Sequence, residues 1–207
     1  GRYPRQPAAN EQNMTAHEAI CSKFVFNGRK RNLPWYPRKG TRVELAEVFG
    51  LLKFTRGVEV GTQRGLWAKT LFEKVPGLHL TCVDPWAAYN GISQERQDRI
   101  YSEAMTNLSG RNVEILRKGS LDVVRTIPDG SLDFVFIDRN HMFDAVMQDI
   151  IQRVPKVRRD GIVAAHDYHY YTGSDVIWAV NAYTHCHHID PWYVTREITT
   201  TAFWVQR

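Results

Sequence analysis

The 207-residue chain is poor in cysteine and has no long apolar run, and each shortage excludes a class of protein. Cys21, Cys82 and Cys186 are odd in number, far apart and free of any Cys-x-x-Cys pair, which argues against a disulfide framework and a thiolate zinc module alike. A reducing, cytoplasmic setting fits that usage best. The longest uninterrupted apolar run is Val176 to Val180, far short of the ~20 residues that span a bilayer, so no membrane partner is expected. The start, Gly1-Arg2-Tyr3-Pro4, lacks both an initiator Met and the apolar stretch of a secretory signal, and it reads as trimmed or tagged. Internal repeats and Gly/Ser linkers are missing as well, which leaves one domain with an N-terminal extension.

What is present is a sufficient core, at 43% hydrophobic residues, and an uneven charge. Residues 1–42 carry nine Lys/Arg against two Glu, so the net +5 of the chain sits at its beginning while the body is slightly acidic. The division expected is an extension over 1–41, basic and aromatic, and a domain over 42–207. Arg29-Lys30-Arg31 and Pro34-Trp35-Tyr36-Pro37-Arg38-Lys39 give the extension three readings: a frayed leader, an arm that steers nucleic acid, or a lid in which Trp35 and Tyr36 fold over a ligand.

From residue 42 onward, helical and strand-like periods alternate. Val43, Leu45, Ala46, Phe49 and Leu52 predict a helix over Arg42 to Lys53. Short apolar runs at Gly57 to Val60, Leu78 to Val83, Val113 to Leu116, Leu132 to Ile137 and Gly161 to Ala165 predict buried parallel strands with crossover helices. The clearest of these helices is Phe143 to Val154, with an apolar stripe of Phe143, Val146, Ile150, Ile151 and Val154. A further helix over Ser174 to His185 precedes Trp192 to Thr195 and Ala202 to Val205, which close as an antiparallel hairpin. The expected fold is α/β: a Rossmann-like sheet of seven strands, mostly parallel, with helices on both faces and one reversed edge.

Chemistry concentrates at the strand ends. Gly57-Val58-Glu59-Val60-Gly61-Thr62-Gln63-Arg64-Gly65 is a strand running into a turn and a helix, the place where open α/β sheets bind ligands. Its Gly-x-x-x-Gly spacing is not the Gly-x-Gly-x-x-Gly of dinucleotide binders, and Glu59 favours a cationic guest over a pyrophosphate. The next strand ends in Asp84, followed by Pro85 and Trp86; a carboxylate there can take both hydroxyls of a ribose, or it can simply form the turn. Gly119 and Ser120 follow the third strand. The fourth ends Ile137-Asp138-Arg139-Asn140-His141, and the fifth runs Gly161-Ile162-Val163-Ala164-Ala165-His166-Asp167-Tyr168.

These motifs resemble the class I S-adenosylmethionine-dependent methyltransferases, and among them the O-methyltransferase-like methyltransferase 24 family. The resemblance covers roughly residues 56–205, and it rests most on Asp138-x-x-His141 with Asp149 downstream and on the His166-Asp167 pair. It implies the strand order 3-2-1-4-5-7-6, S-adenosylmethionine as cofactor and a small-molecule acceptor, a sugar or a phenol, methylated on a hydroxyl. It further implies cofactor contacts at Glu59, Gly61, Gly65, Asp84 and Ser120, with Thr62, Gln63, Trp86, Gly119 and Asp138 beside them. Asp138, His166 and Asp167 form the expected metal set, although His166 stands where such enzymes usually carry an acid, and imidazole favours transition metals over magnesium. Metal-assisted and metal-free reactions both stay open.

A hydroxyl acceptor must lose its proton, to a metal-lowered pKa or to a base. Asp138, His141, His166 and Asp167 are the catalytic candidates; of the two histidines, His166 is expected to be functional and His141 to orient the following helix. Tyr168 to Tyr171 is the expected acceptor wall, and His185-Cys186-His187-His188 a helix end rather than a metal site. A nucleic-acid methyltransferase is the first rival, weakened because Asp138-Arg139-Asn140-His141 is not the Asp/Asn-Pro-Pro-aromatic run of base methylation and no Lys follows Lys156. A cofactor-binding member without catalysis is the second rival, and a homo-oligomer is compatible with either.

Overall fold

The computed structural model describes residues 14–26, 34–170 and 174–207. Seven strands form the central sheet: β3 (Arg56–Val60), β4 (His79–Asp84), β5 (Val113–Arg117), β6 (Leu132–Ile137), β7 (Val157–Ala165), β8 (Trp192–Val194) and β9 (Ala202–Val205). Their spatial order is β5-β4-β3-β6-β7-β9-β8, which is 3-2-1-4-5-7-6 counted along the sheet strands. Strands β3 to β7 pair in parallel with one another, whereas β9 runs antiparallel to both β7 and β8. The reversed strand therefore lies one position in from the edge, and β8, the edge strand, regains the parallel direction.

Side-chain alternation explains why this sheet is covered on both faces. Val58, Val60, Val135, Ile137 and Val163 face one apolar cluster with Val146 and Ile150 of α6 (Phe143–Arg153) and Ile177 and Val180 of α7 (Val176–Cys186). Leu80, Cys82, Phe134, Phe136 and Ile162 face the other, with Leu45 and Phe49 of α2 (Arg42–Leu51) and Ala68 and Leu71 of α3 (Leu66–Lys74). The stripe expected on α6 is only partly apolar: Phe143 and Ile151 are exposed, while Asp149 and Arg153 turn inward beside Val146 and Ile150. Strand β7 starts four residues earlier than its apolar run, because Arg158, Arg159 and Asp160 extend it at a partly exposed end.

The described part of the segment before residue 42 packs on the domain. In α1 (Ala16–Lys23), capped by Thr15 and Glu18, Ala19 and Ile20 are buried, and with Phe24 they join the α2/α3 cluster. The two short strands β1 (Val25–Phe26) and β2 (Pro37–Lys39) pair with each other, and Trp35 extends the sheet at β8 by donating its N–H to Trp192 and accepting one from Val194. Trp35 thus seals a sheet edge instead of covering a ligand. Arg29-Lys30-Arg31 and Gly1-Arg2-Tyr3-Pro4 lie outside the described residues. All the parallel strands point their carboxyl ends to one side, where the N-terminus of α2 and the 195–201 connection between β8 and β9 also meet.

Candidate active site

The glycine loop is shaped by its neighbours. Gly61 has φ +90°, and a Cβ there would stand 1.8 Å from the Asp138 carbonyl oxygen; only glycine fits so close an approach at that φ. The loop is pinned on both sides, Gly61 donating its N–H to Val83 at 2.8 Å and Asp138 donating to Val60 at 2.8 Å. Gly65, at φ +71°, opens α3. Thr62 is buried at the start of this loop, its hydroxyl turned toward the Glu59 carboxyl and the Cys82 thiol.

Asp84 and Trp86 brace the same loop. The Asp84 carboxylate accepts N–H bonds from Gln63 at 3.0 Å and Trp86 at 2.8 Å, and the Trp86 indole donates to the Gln63 carbonyl at 2.9 Å. Trp86, expected beside the cofactor, is only 1% exposed and packs with Ile100 and Ala104, so its ring is a strut under the loop. Burial raises the pKa of Asp84 against the two backbone donors. Glu59, buried beside Cys82, is pushed by desolvation up to about 8. Desolvation thus opposes the negative charge expected of Glu59 in the cleft.

Beyond β5, Ser120 is fully buried; its hydroxyl donates to Asp149 and accepts from Arg153 Nη2 at 2.8 Å. Arg153 also donates to the Ser120 carbonyl at 2.9 Å. The Ser120 hydroxyl is thus committed within the protein, which leaves the Gly119–Ser120 backbone for the expected adenine contact. Asp149 lies 4.0 Å from Arg139 as well, and this network ties α6 to the loops after β5 and β6.

The tips of β6 and β7 bring four titratable groups together. His141 Nε2 is 3.0 Å from Asp167 Oδ2 and 3.9 Å from Asp138 Oδ1. His166 Nδ1 faces the same two carboxylates at 3.4 and 3.5 Å, while its Nε2 meets Arg42 Nη1 at 3.2 Å. Burial disfavours charge on His166, yet hydrogen bonding and charge from Asp138 and Asp167 outweigh it and push its pKa up to about 9. The Arg42 contact acts in the opposite sense, since a guanidinium donor needs the Nε2 lone pair; the upward direction prevails because two carboxylates face the ring. Desolvation of the two carboxylates is likewise outweighed by the histidines, which hold Asp138 and Asp167 below the usual range.

The two histidines, of which His166 is expected to be functional and His141 to orient the following helix, differ in their surroundings. His166 is 7% exposed, with both ring nitrogens facing protein groups, whereas the His141 side chain is 30% exposed at the rim. The candidate metal set changes with it: among the described residues, Asp138, His141 and Asp167 each offer a ligand atom within 4.8 Å of the others, with His141 in place of His166. Two carboxylates and an imidazole suit a divalent cation. Arg42 and Glu197 join the site without a local sequence signal, because α2 and the β8–β9 connection are far from β7 in the chain.

The expected aromatic wall is divided. Tyr168 is buried edge-on to Trp192 with its hydroxyl on Asn181 at 2.8 Å, while Tyr170 is 72% exposed and packs its ring 5.7 Å from that of Trp178; Tyr171 lies outside the described residues. Helix α7 is tethered to the site, Asp175 donating its N–H to the His141 carbonyl at 2.7 Å and accepting from Phe143. Tyr36 is exposed on this side, hydrogen bonded to the Tyr168 hydroxyl. His187 stacks on Tyr183 at the end of α7.

A sheet of this order, with a glycine loop after its central strand and an acid ending the next, defines the class I S-adenosylmethionine-dependent methyltransferases. The chain belongs to the methyltransferase 24 family, described as a methyltransferase domain, which matches residues 58–168. An uncharacterized protein of Acanthamoeba polyphaga mimivirus is 27% identical over 130 residues, 60% of this chain and 57% of that protein, so the match spans little more than half of that relative. Among solved structures, an O-methyltransferase from Bacillus cereus in complex with S-adenosylhomocysteine superposes with a TM-score of 0.61 at 11% identity, covering 94% of this chain and 91% of that one. The O-methyltransferase TomG from Streptomyces achromogenes, involved in tomaymycin synthesis and solved with S-adenosylmethionine, gives 0.59 at 16% identity over 80% of each chain. At these identities the likeness is one of fold.

Proposed function

We propose that the chain transfers a methyl group from S-adenosylmethionine to a hydroxyl of a small ring-shaped acceptor, with His141 as the base. The observation that carries this reading is the His141–Asp167 pair at the rim of the cleft, beside Asp138 and across from the glycine loop. The cofactor supplies a methyl carbon activated by its sulfonium, and the C–S bond breaks with its electron pair on sulfur as the acceptor oxygen bonds to carbon. The turn from Gly61 to Gly65 would hold the methionine end, Asp84 the ribose hydroxyls and the Gly119–Ser120 backbone the adenine. Asp138 orients the acceptor hydroxyl, the His141 imidazole receives its proton, and Asp167 compensates the charge that develops.

A metal-free base and a metal site would draw on one donor set. A divalent cation held by Asp138, His141 and Asp167 would lower the pKa of the hydroxyl. The exposed rings of Tyr36, Tyr170 and Trp178 favour a ring-shaped acceptor, a phenol or the apolar face of a sugar. Three free thiols agree with a reducing, cytoplasmic setting. Among the described residues no helix is long and apolar enough to cross a membrane.

The test is incubation with labelled S-adenosylmethionine and a panel of catechol, simple phenols and methyl glycosides, with and without chelator, scoring labelled product and S-adenosylhomocysteine. O-methylated product from a ring hydroxyl is expected. The competing nucleic-acid reading, based on the basic segment, would be favoured instead by transfer to RNA together with binding that weakens steeply with salt.

A further inference from the structure

Arg42 touches the helix after the glycine loop, the acceptor cluster and the β8–β9 connection together. Its guanidinium lies 5.6 Å over the Trp67 ring of α3, its Nη1 is 3.2 Å from His166 Nε2, and its Nε is 3.5 Å from Glu197 Oε2. Glu197 also accepts the Arg42 backbone N–H at 2.9 Å, so both ends of the residue are fixed by one carboxylate. Behind it, Trp67 packs 5.0 Å from Phe136, and Phe136 lies 6.0 Å from the His166 ring. His166 in turn faces Asp138 and Asp167, and Asp167 holds His141.

We propose that Arg42 is a positioning residue for methyl transfer: it fixes the His166 ring, and through it the Asp138 and Asp167 carboxylates, relative to the helix that carries the glycine loop. The planar guanidinium is suited to the task, since it lies over an indole while its Nε edge donates to the Glu197 carboxylate and its Nη1 abuts the His166 ring. A Lys here would keep the charge but reach one partner at a time. Glu197 is the second member, because it sets the direction of the guanidinium. The kinetic consequence rests on the proposed reaction, in which a misplacement of about 1 Å can cost about 100-fold in rate; the structural consequence does not.

Both are tested in the full chain with Arg42→Gln, Arg42→Lys and Glu197→Gln. Histidine-labelled protein, with the His166 ring signals assigned by comparison with His166→Gln, is read by NMR. Arg42→Gln and Glu197→Gln should shift or broaden the His166 signals, with Arg42→Lys intermediate. Catechol as probe acceptor should show kcat reduced about 10- to 100-fold in Arg42→Gln, with S-adenosylmethionine affinity within about threefold, and partial rescue in Arg42→Lys. Unchanged His166 signals in a folded Arg42→Gln protein would overturn the proposal, as would kcat within twofold of the parent. A parent protein that binds S-adenosylmethionine but methylates nothing would sink the reaction reading instead, and the NMR signals would then decide the role of Arg42 alone.

Discussion

His141 Nε2 stands 3.0 Å from Asp167 Oδ2 at an open rim, while His166, one residue before that aspartate, is shut between it, Asp138 and Arg42. The more exposed imidazole is the one able to meet an acceptor. His141→Ala should therefore lose about 100-fold or more in turnover with cofactor affinity unchanged, and His166→Gln should lose less. Turnover and calorimetry on both variants check this order, and a larger loss in His166→Gln would return the base to β7.

Asp84 accepts N–H bonds from Gln63 and Trp86, so it shapes the loop as well as being the residue proposed to take the ribose. Asp84→Ala should weaken S-adenosylmethionine binding by about 2–3 kcal/mol, since charge-assisted bonds contribute about 1.5–3 kcal/mol. Calorimetry showing unchanged affinity would remove Asp84 from the cofactor site.

Stability should fall as pH rises through the neutral and mildly alkaline range. Glu59 binds its proton up to about pH 8 when folded and only to about 4.5 when unfolded, so the stability tied to that proton is full below 4.5 and lost as pH climbs through 8. His166, raised from 6.5 to about 9, adds a loss between those values. Asp167, lowered by its histidines, acts oppositely: its contribution is present above 3.8 and lost in acid. Thermal melts from pH 5 to 10 should show a declining alkaline limb that is flatter in Glu59→Gln; identical limbs in the two proteins would show that Glu59 is charged in the fold.

The sheet was legible because its strands are short, apolar and spaced by helical periods, and Leu132 to Ile137 matches β6 residue for residue. What stayed hidden depends on contacts across the chain. Arg42 and His166 are 124 positions apart, and no local pattern links a helix start to the tip of a later strand. The difference in exposure between His141 and His166 has the same origin, since exposure at a strand tip is decided by what packs opposite it. The burial of Asp149 and Arg153 has no local signal either, since an acid and a base four apart on a helix equally suit a surface ion pair.

That pair supplies the last prediction. Arg153 is fully buried and Asp149 nearly so, and together they hold Ser120 at the start of α5 (Ser120–Val124). Removing the cation alone leaves Asp149 as an uncompensated buried charge, which typically costs about 3–5 kcal/mol. Arg153→Met should destabilise by that order and loosen the Gly119–Ser120 turn, so cofactor affinity should fall too, although Arg153 lies outside the expected contact set. The double variant Arg153→Met with Asp149→Leu removes both charges and should recover much of the stability, because two apolar side chains replace the pair. Urea denaturation of the single and double variants checks the first point, and calorimetry with S-adenosylhomocysteine checks the second. If the double variant is stable again yet still binds weakly, the network shapes the adenine turn directly; if stability and binding recover together, it acts through packing.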